Sequence, residues 1–130
     1  MGKYWKLIGH SVGEATSYEA AAGAGQTSPY TPIENARLIG LRVMEGSAAV
    51  TTVTTVMQWK LTCSTFKPNS IEVALAGSGL HTAPRAPAAD QIFIVDQPVM
   101  AGVPITVETR ILGAYTDVTN ECFLWGLFES

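Results

Sequence analysis

Charge is the first thing this chain is short of. Only 15% of its residues are Asp, Glu, Lys or Arg, against roughly 25% in an average soluble domain. A domain of 130 residues has a large surface for its volume. So few charges leave that surface to small neutral residues (Ala, Gly, Ser, Thr) or to another protein. The eight basic and eleven acidic residues sum to −3 and form no run. Lys3 and Lys6 are the only early cations, and Glu14 and Glu19 follow them. A basic arm able to neutralise phosphates is missing, which argues against direct contact with nucleic acid.

Cysteine and histidine are equally scarce. Cys63 and Cys122 stand alone, without a CxxC pair or a Cys/His cluster, so a zinc site is not expected. Both fall in phase with apolar neighbours and read as reduced core thiols. His10 and His81 have no carboxylate at ligand spacing and read as surface or edge residues. Long apolar runs are absent too. Every apolar stretch is broken well before the ~18 residues a helical membrane span needs. The opening MGKYWKLIGHSVG is interrupted by Lys6 and His10 and has no cleavage site after it, so no secretion signal is read there. Lys6 also stands where a myristoylation motif requires Ser or Thr.

Catalytic signatures are the third absence. Ser78 lies in AGSGL, which lacks the spacing of a nucleophile elbow and reads as a Gly-Ser-Gly turn. Gly23-Ala24-Gly25 lacks the third glycine and the strand–helix context of a dinucleotide fingerprint. Asp90 and Asp96 flank one strand pattern, and Glu108 and Asp117 flank another. Strand rise puts Asp90 and Asp96 about 20 Å apart, too far for a glycosidase pair. Neither an enzyme, a metal nor a cofactor is expected.

What is present is a period of two. Met57, Trp59, Leu61 and Cys63 share one parity, and Gln58, Lys60, Thr62 and Ser64 the other. That alternation is the signature of a strand with one buried and one wet face. Ile71, Val73 and Leu75 repeat it against Glu72. Val103, Ile105, Val107 and Ile111 repeat it against Thr106, Glu108 and Arg110. Ile39, Leu41 and Val43 oppose Arg42. Tyr4 to Val12 and Gln91 to Asp96 are further strands with a less clean phase. Turn residues sit between them at Glu45-Gly46-Ser47, Lys67 to Ser70, Gly77 to Gly79, Pro98 to Gly102 and Gly113-Ala114. The expected architecture is all-β: an antiparallel β-sandwich, jelly-roll-like, of seven or eight strands, with residues 1–130 forming one domain. Residues 13–35 read as a long flexible connection, with Thr16 and Glu19 able to cap one short helical turn. Residues 81–90 hold two prolines and read as extended and exposed.

The last strand departs from simple alternation. Cys122, Leu124 and Phe128 face one way, while Phe123, Trp125 and Leu127 face the other. A strand apolar on both faces needs cover on both, whereas a two-layer sandwich gives each sheet only one internal partner. The second face therefore calls for another segment or another subunit. Trp5, in the first strand, belongs to the same group. Trp5, Phe123, Trp125 and Leu127 are the candidate interface residues. Tyr4, Tyr18, Tyr30 and Tyr115 with the three tryptophans offer the alternative of a platform for carbohydrate or another surface ligand.

The run Gly102 to Ile111 (GVPITVETRI), a short polar loop, and Thr119 to Glu129 (TNECFLWGLFE) resemble the closing hairpin of small virion proteins, namely single jelly-roll coat proteins and capsid decoration proteins of tailed or archaeal viruses. The likeness covers the C-terminal third. It implies a β-sandwich, homo-oligomerisation and no catalytic residues. Coats of this kind from RNA viruses often carry a basic amino-terminal arm. This chain has none, so a decoration protein or a DNA-virus coat suits its charge better. The functional expectation is a self-assembling structural protein whose partner is itself, as a trimer or larger shell, or another capsid protein. It would reside in the virion, or in the cytoplasm before assembly, with no contact to nucleic acid or membrane. A carbohydrate- or surface-ligand-binding sandwich is the alternative.

Overall fold

A computed structural model describes residues 2–11, 17–21, 29–46, 56–76, 80–81, 92–111 and 122–130, with backbone alone at 11, 44–46, 56–57, 75–76, 80–81, 111 and 122. Nine strands run through them: β1 (Lys3–Ser11), β2 (Glu19–Ala20), β3 (Ala36–Gly46), β4 (Val56–Thr62), β5 (Ser70–Ala76), β6 (Leu80–His81), β7 (Phe93–Val99), β8 (Thr106–Ile111) and β9 (Cys122–Glu129). Among the described residues there is no helix, so none is long and apolar enough to cross a membrane. The β-branched and aromatic residues of the alternating runs suit a pleated, half-buried surface, which is why those runs form the strands.

The strands make two sheets. Sheet A has the order β1-β9-β3, with β7 and the two-residue β6 both beside β3. Sheet B has the order β2-β8-β4-β5. Every pairing is antiparallel except that of β6 with β3. The first strand pairs the last (β1·β9), β2 pairs β8, β3 pairs β7 and β4 pairs β5. Folding such a ribbon over on itself gives a jelly roll, and the sandwich expectation holds, with nine strands, the two-residue β6 among them, where seven or eight were expected. The Ser130 amide donates to the Gly2 carbonyl at 3.1 Å and ties off the β1–β9 end.

The core lies between the sheets. Ile8, Leu38, Leu41, Val43, Leu124 and Phe128 come from sheet A, and Trp59, Leu61, Val73 and Val107 from sheet B; all are buried. Each contributes roughly 1.5–3 kcal/mol of apolar transfer free energy. Cys63 is a free, buried thiol in this cluster, as expected; the Cys122 side chain lies outside the described atoms. Two glycines let large neighbours close in. A Cβ on Gly9 would stand 3.0 Å from Val107 and 3.1 Å from Trp59. One on Gly126 would stand 3.0 Å from Phe128, 3.1 Å from Leu38 and 3.3 Å from Ile8.

Several expectations change. In β3 a bulge between Leu38 and Gly40 inserts Ile39 as an extra residue. The core face is thus Leu38, Leu41 and Val43, and Ile39 turns outward. A second bulge, between Leu7 and Gly9, accounts for the uneven phase of the first strand and sends Ile8 into the core. Glu19 begins β2 rather than a helical turn, because its backbone pairs with Thr109. Thr16 lies outside the described residues. The 13–35 connection therefore carries a strand, a buried Ala21, and Tyr30 bridged to Ile105. Asp96, Pro98 and Val99 lie inside β7 instead of flanking it. A strand proline is tolerated there because β7 is at the edge of the sheet. The turns at 77–79 and 113–114 and the stretch 82–90 lie outside the described residues.

Candidate functional site

The two outer faces of the sandwich differ in chemistry. On sheet B the register sets Lys60 between Glu72 and Glu108, and Gln58 opposite Arg110. Arg110 Nε donates to Gln58 Oε1 at 2.7 Å. The Tyr18 ring lies 4.6 Å from the Arg110 guanidinium and 5.6 Å from the Lys60 ammonium, close enough for cation–π attraction. Burial, then the Glu72 carboxylate, pushes the Tyr18 hydroxyl up to about 12. Alternating charges across neighbouring strands make this a solvated face.

The outer face of sheet A carries a run of apolar side chains among its charged ones. Register places Trp5 beside Leu127 and Leu7 beside Trp125. Phe123 and Trp125 form a cluster of their own, with Trp5 and Leu7 packed on it. His10, expected as a surface or edge residue, lies in the edge strand β1 but is buried, its ring 4.8 Å from that of Phe123. Arg42, opposite Trp125, is buried as well. Of the four candidate interface residues, Phe123, Trp125 and Leu127 are 7%, 8% and 4% exposed, because the chain itself covers most of them; Trp5 stays half-buried. Toward β7 the face opens. Ile39, Ile92, Ile94 and Leu127 line a shallow hollow of about 560 Å³, rimmed by Lys3, Arg37, Asp96 and Glu129. Arg37 Nε donates to Asp96 Oδ1 at 2.6 Å. Ile94 is 71% exposed there, while Phe93, paired with the core-facing Leu41, lies on the other face of β7 and is 45% exposed. The sequence reading passed over these residues, although Phe93-Ile94-Val95 is apolar on both faces, the signal used for the last strand.

A second concavity, a cleft of about 280 Å³, lies beside the β1–β9 edge. Phe128, on the inner face of β9, is its backing. The Tyr4 ring stacks on it at 5.7 Å and 17°, and the Tyr30 ring tilts against it at 6.0 Å and 34°. Tyr30 is held there by two backbone hydrogen bonds with Ile105, each 2.8 Å. The Gly102 amide donates to the Pro32 carbonyl at 2.9 Å, fixing the loop that carries Ile33 and Glu34. Lys6, Trp5 and Glu34 complete the wall. Burial, then a hydrogen bond to Glu34, pushes the Tyr4 hydroxyl up to about 12.

Among the described residues no three His, Cys, Asp or Glu side chains converge as a metal site would require. Asp96 is paired with Arg37; Asp90 and Asp117 lie outside the described residues. No protein-family model, curated protein or solved structure matches this chain.

Proposed function

We propose that this protein is a self-assembling structural subunit that packs the outer face of sheet A against a second copy of itself. The carrying observation is the contrast between the two outer faces: sheet B presents paired charges, and sheet A presents Ile39, Ile92 and Ile94 around an open hollow. Exposed apolar surface of this kind on a small domain marks a contact region. The rim favours a second copy as the occupant. It carries two cations, Lys3 and Arg37, and two acids, Asp96 and Glu129, so the patch meeting itself across a two-fold axis suffers no net repulsion. The setting that fits the composition and the resemblance of the C-terminal third is a virion, with the protein as a capsid or decoration subunit. In this reading it is not an enzyme and takes no cofactor.

Light scattering coupled to size exclusion, across concentration, is the test. The wild type is expected above the 13.8 kDa of one chain. Ile94→Asp is expected to lower that mass toward the monomer with an unchanged Tm, because Ile94 contributes little to the core. A wild type that stays monomeric at every concentration refutes the proposal. An Ile94→Asp variant that assembles like the wild type refutes the assigned face.

A further inference from the structure

We propose that the cleft between Tyr4, Tyr30 and Glu34 is a binding site for a neutral sugar ring. The inference does not rest on the assembly reading: the cleft opens beside β1 and the assembly hollow lies around Ile94, with Trp5 the residue common to the cleft and the outer face.

A pyranose has apolar C–H faces and a rim of hydroxyls that both donate and accept. The cleft offers a counterpart to each. Tyr4 and Tyr30 are only partly buried, and both rings are steadied from behind by the fully buried Phe128. They are aromatic walls whose orientation is set before any ligand arrives, which lowers the ordering cost of binding. Ile33, 84% exposed, extends the apolar wall outward. At the rim, Glu34 supplies carboxylate acceptors and Lys6 an ammonium donor. A mostly apolar concavity with a few convergent polar groups is the usual form of a small-ligand site.

The charges select among ligand classes. A cation in the cleft would meet Lys6, and an anion would meet Glu34. A neutral ring bearing hydroxyls uses both groups and is repelled by neither. Glu34 stands beside the Tyr4 hydroxyl in the wall of the cleft, and its carboxylate has acceptor sites enough for a ligand hydroxyl as well.

The tryptophans provide a reporter. Trp59 and Trp125 are buried, and Trp5 lines the cleft. Glucose, galactose, mannose and N-acetylglucosamine are each titrated into the full chain, following tryptophan fluorescence and, in parallel, calorimetric heat. At least one is expected to give a saturable change in both. Glu34→Gln is expected to weaken that binding about tenfold, the loss of a charged hydrogen bond, with Tm unchanged. Tyr30→Ala should abolish the binding. If it also lowers Tm, the exposed Glu34→Gln still decides the matter. Silence across all four sugars overturns the proposal, as does equal binding by wild type and Glu34→Gln. Benzamidinium or benzoate saturating the cleft more tightly than any sugar would overturn it too, since the site would then select charge.

Discussion

Gly126 and Arg37 show how differently single residues weigh in this molecule. Gly126 sits in the central strand β9, facing the core. A methyl group there would press on Phe128, Leu38 and Ile8 within 3.0–3.3 Å. None of these is the free end of a surface chain, since all three side chains are buried. Gly126→Ala is therefore expected to destabilise by about 1–3 kcal/mol, the usual cost of overpacking a closed core. Arg37 makes a short ion pair with Asp96, but both side chains are at least half exposed. Water screens such pairs, and the lost side-chain entropy offsets much of the attraction. Arg37→Ala is expected to leave Tm unmoved. Denaturant melts of the two variants beside the wild type check both statements, and a larger loss for Arg37→Ala would invert the ranking of packing over surface charge. Trp125, one of the four interface candidates read from the sequence, belongs with Gly126. It packs on Trp5 and Leu7 within the chain, so Trp125→Asp is a probe of folding and Ile94→Asp the better probe of assembly.

At the scale of elements, the question is which strands hold the sandwich together. β9 pairs along its length with both β1 and β3, and both its faces are buried. β8 and β4 play the corresponding part in sheet B. β1 and β7 lie at the edges of sheet A, and each meets a bulge that interrupts its ladder. Local opening needs fewer broken contacts at an edge. Native-state hydrogen exchange should find the slowest amides in β9, β8 and β4 and faster ones in β5 and β7. Protection of β7 equal to that of β9 at high concentration, falling on dilution, would be a direct sign that a neighbour covers β7 in the assembly. Protection that ignores dilution would place the cover within the chain.

At the scale of the whole molecule, the two sheets share one response to alkali. Tyr4 on sheet A and Tyr18 against sheet B each hold their proton to about 12, against an ordinary 10, chiefly because burial disfavours the phenolate and a carboxylate lies beside each. The folded state thus binds these protons more tightly than the unfolded chain. Their contribution to stability is complete below pH 10 and is lost as the pH rises from about 10 through about 12. Thermal melts along that range should show a falling Tm, with the phenolate absorbance of three tyrosines appearing late, since burial and the Glu34 carboxylate push Tyr30 up as well. Tyr4→Phe and Tyr18→Phe together should flatten the decline. A Tm that falls just as steeply in the double variant would assign the alkaline loss to other groups.

The sequence alone determined the class of fold. Alternation over Met57 to Cys63 and Val103 to Ile111 is local, and a strand with one wet face leaves that mark whatever it pairs with. Trp59, Leu61, Ile105 and Val107 are buried where that parity put them. The two-sided apolarity of β9 likewise announced a covered outer face. What covers it, and which strands adjoin, depended on contacts far apart in the chain. The bulges at Ile8 and Ile39 shift the parity by one residue. A glycine follows each in the shared Leu-Ile-Gly, a mark a bulge can leave in a strand pattern, but the register itself is set by fit to the partner strand. The pairing of β1 with β9 brought Tyr4 onto Phe128, and the bridge from Ile105 brought Tyr30 there too. Composition held all the residues of the cleft, and of the hollow around Ile94. Only the tertiary structure could gather them, since the free energy that sets a register is earned between strands and not within one.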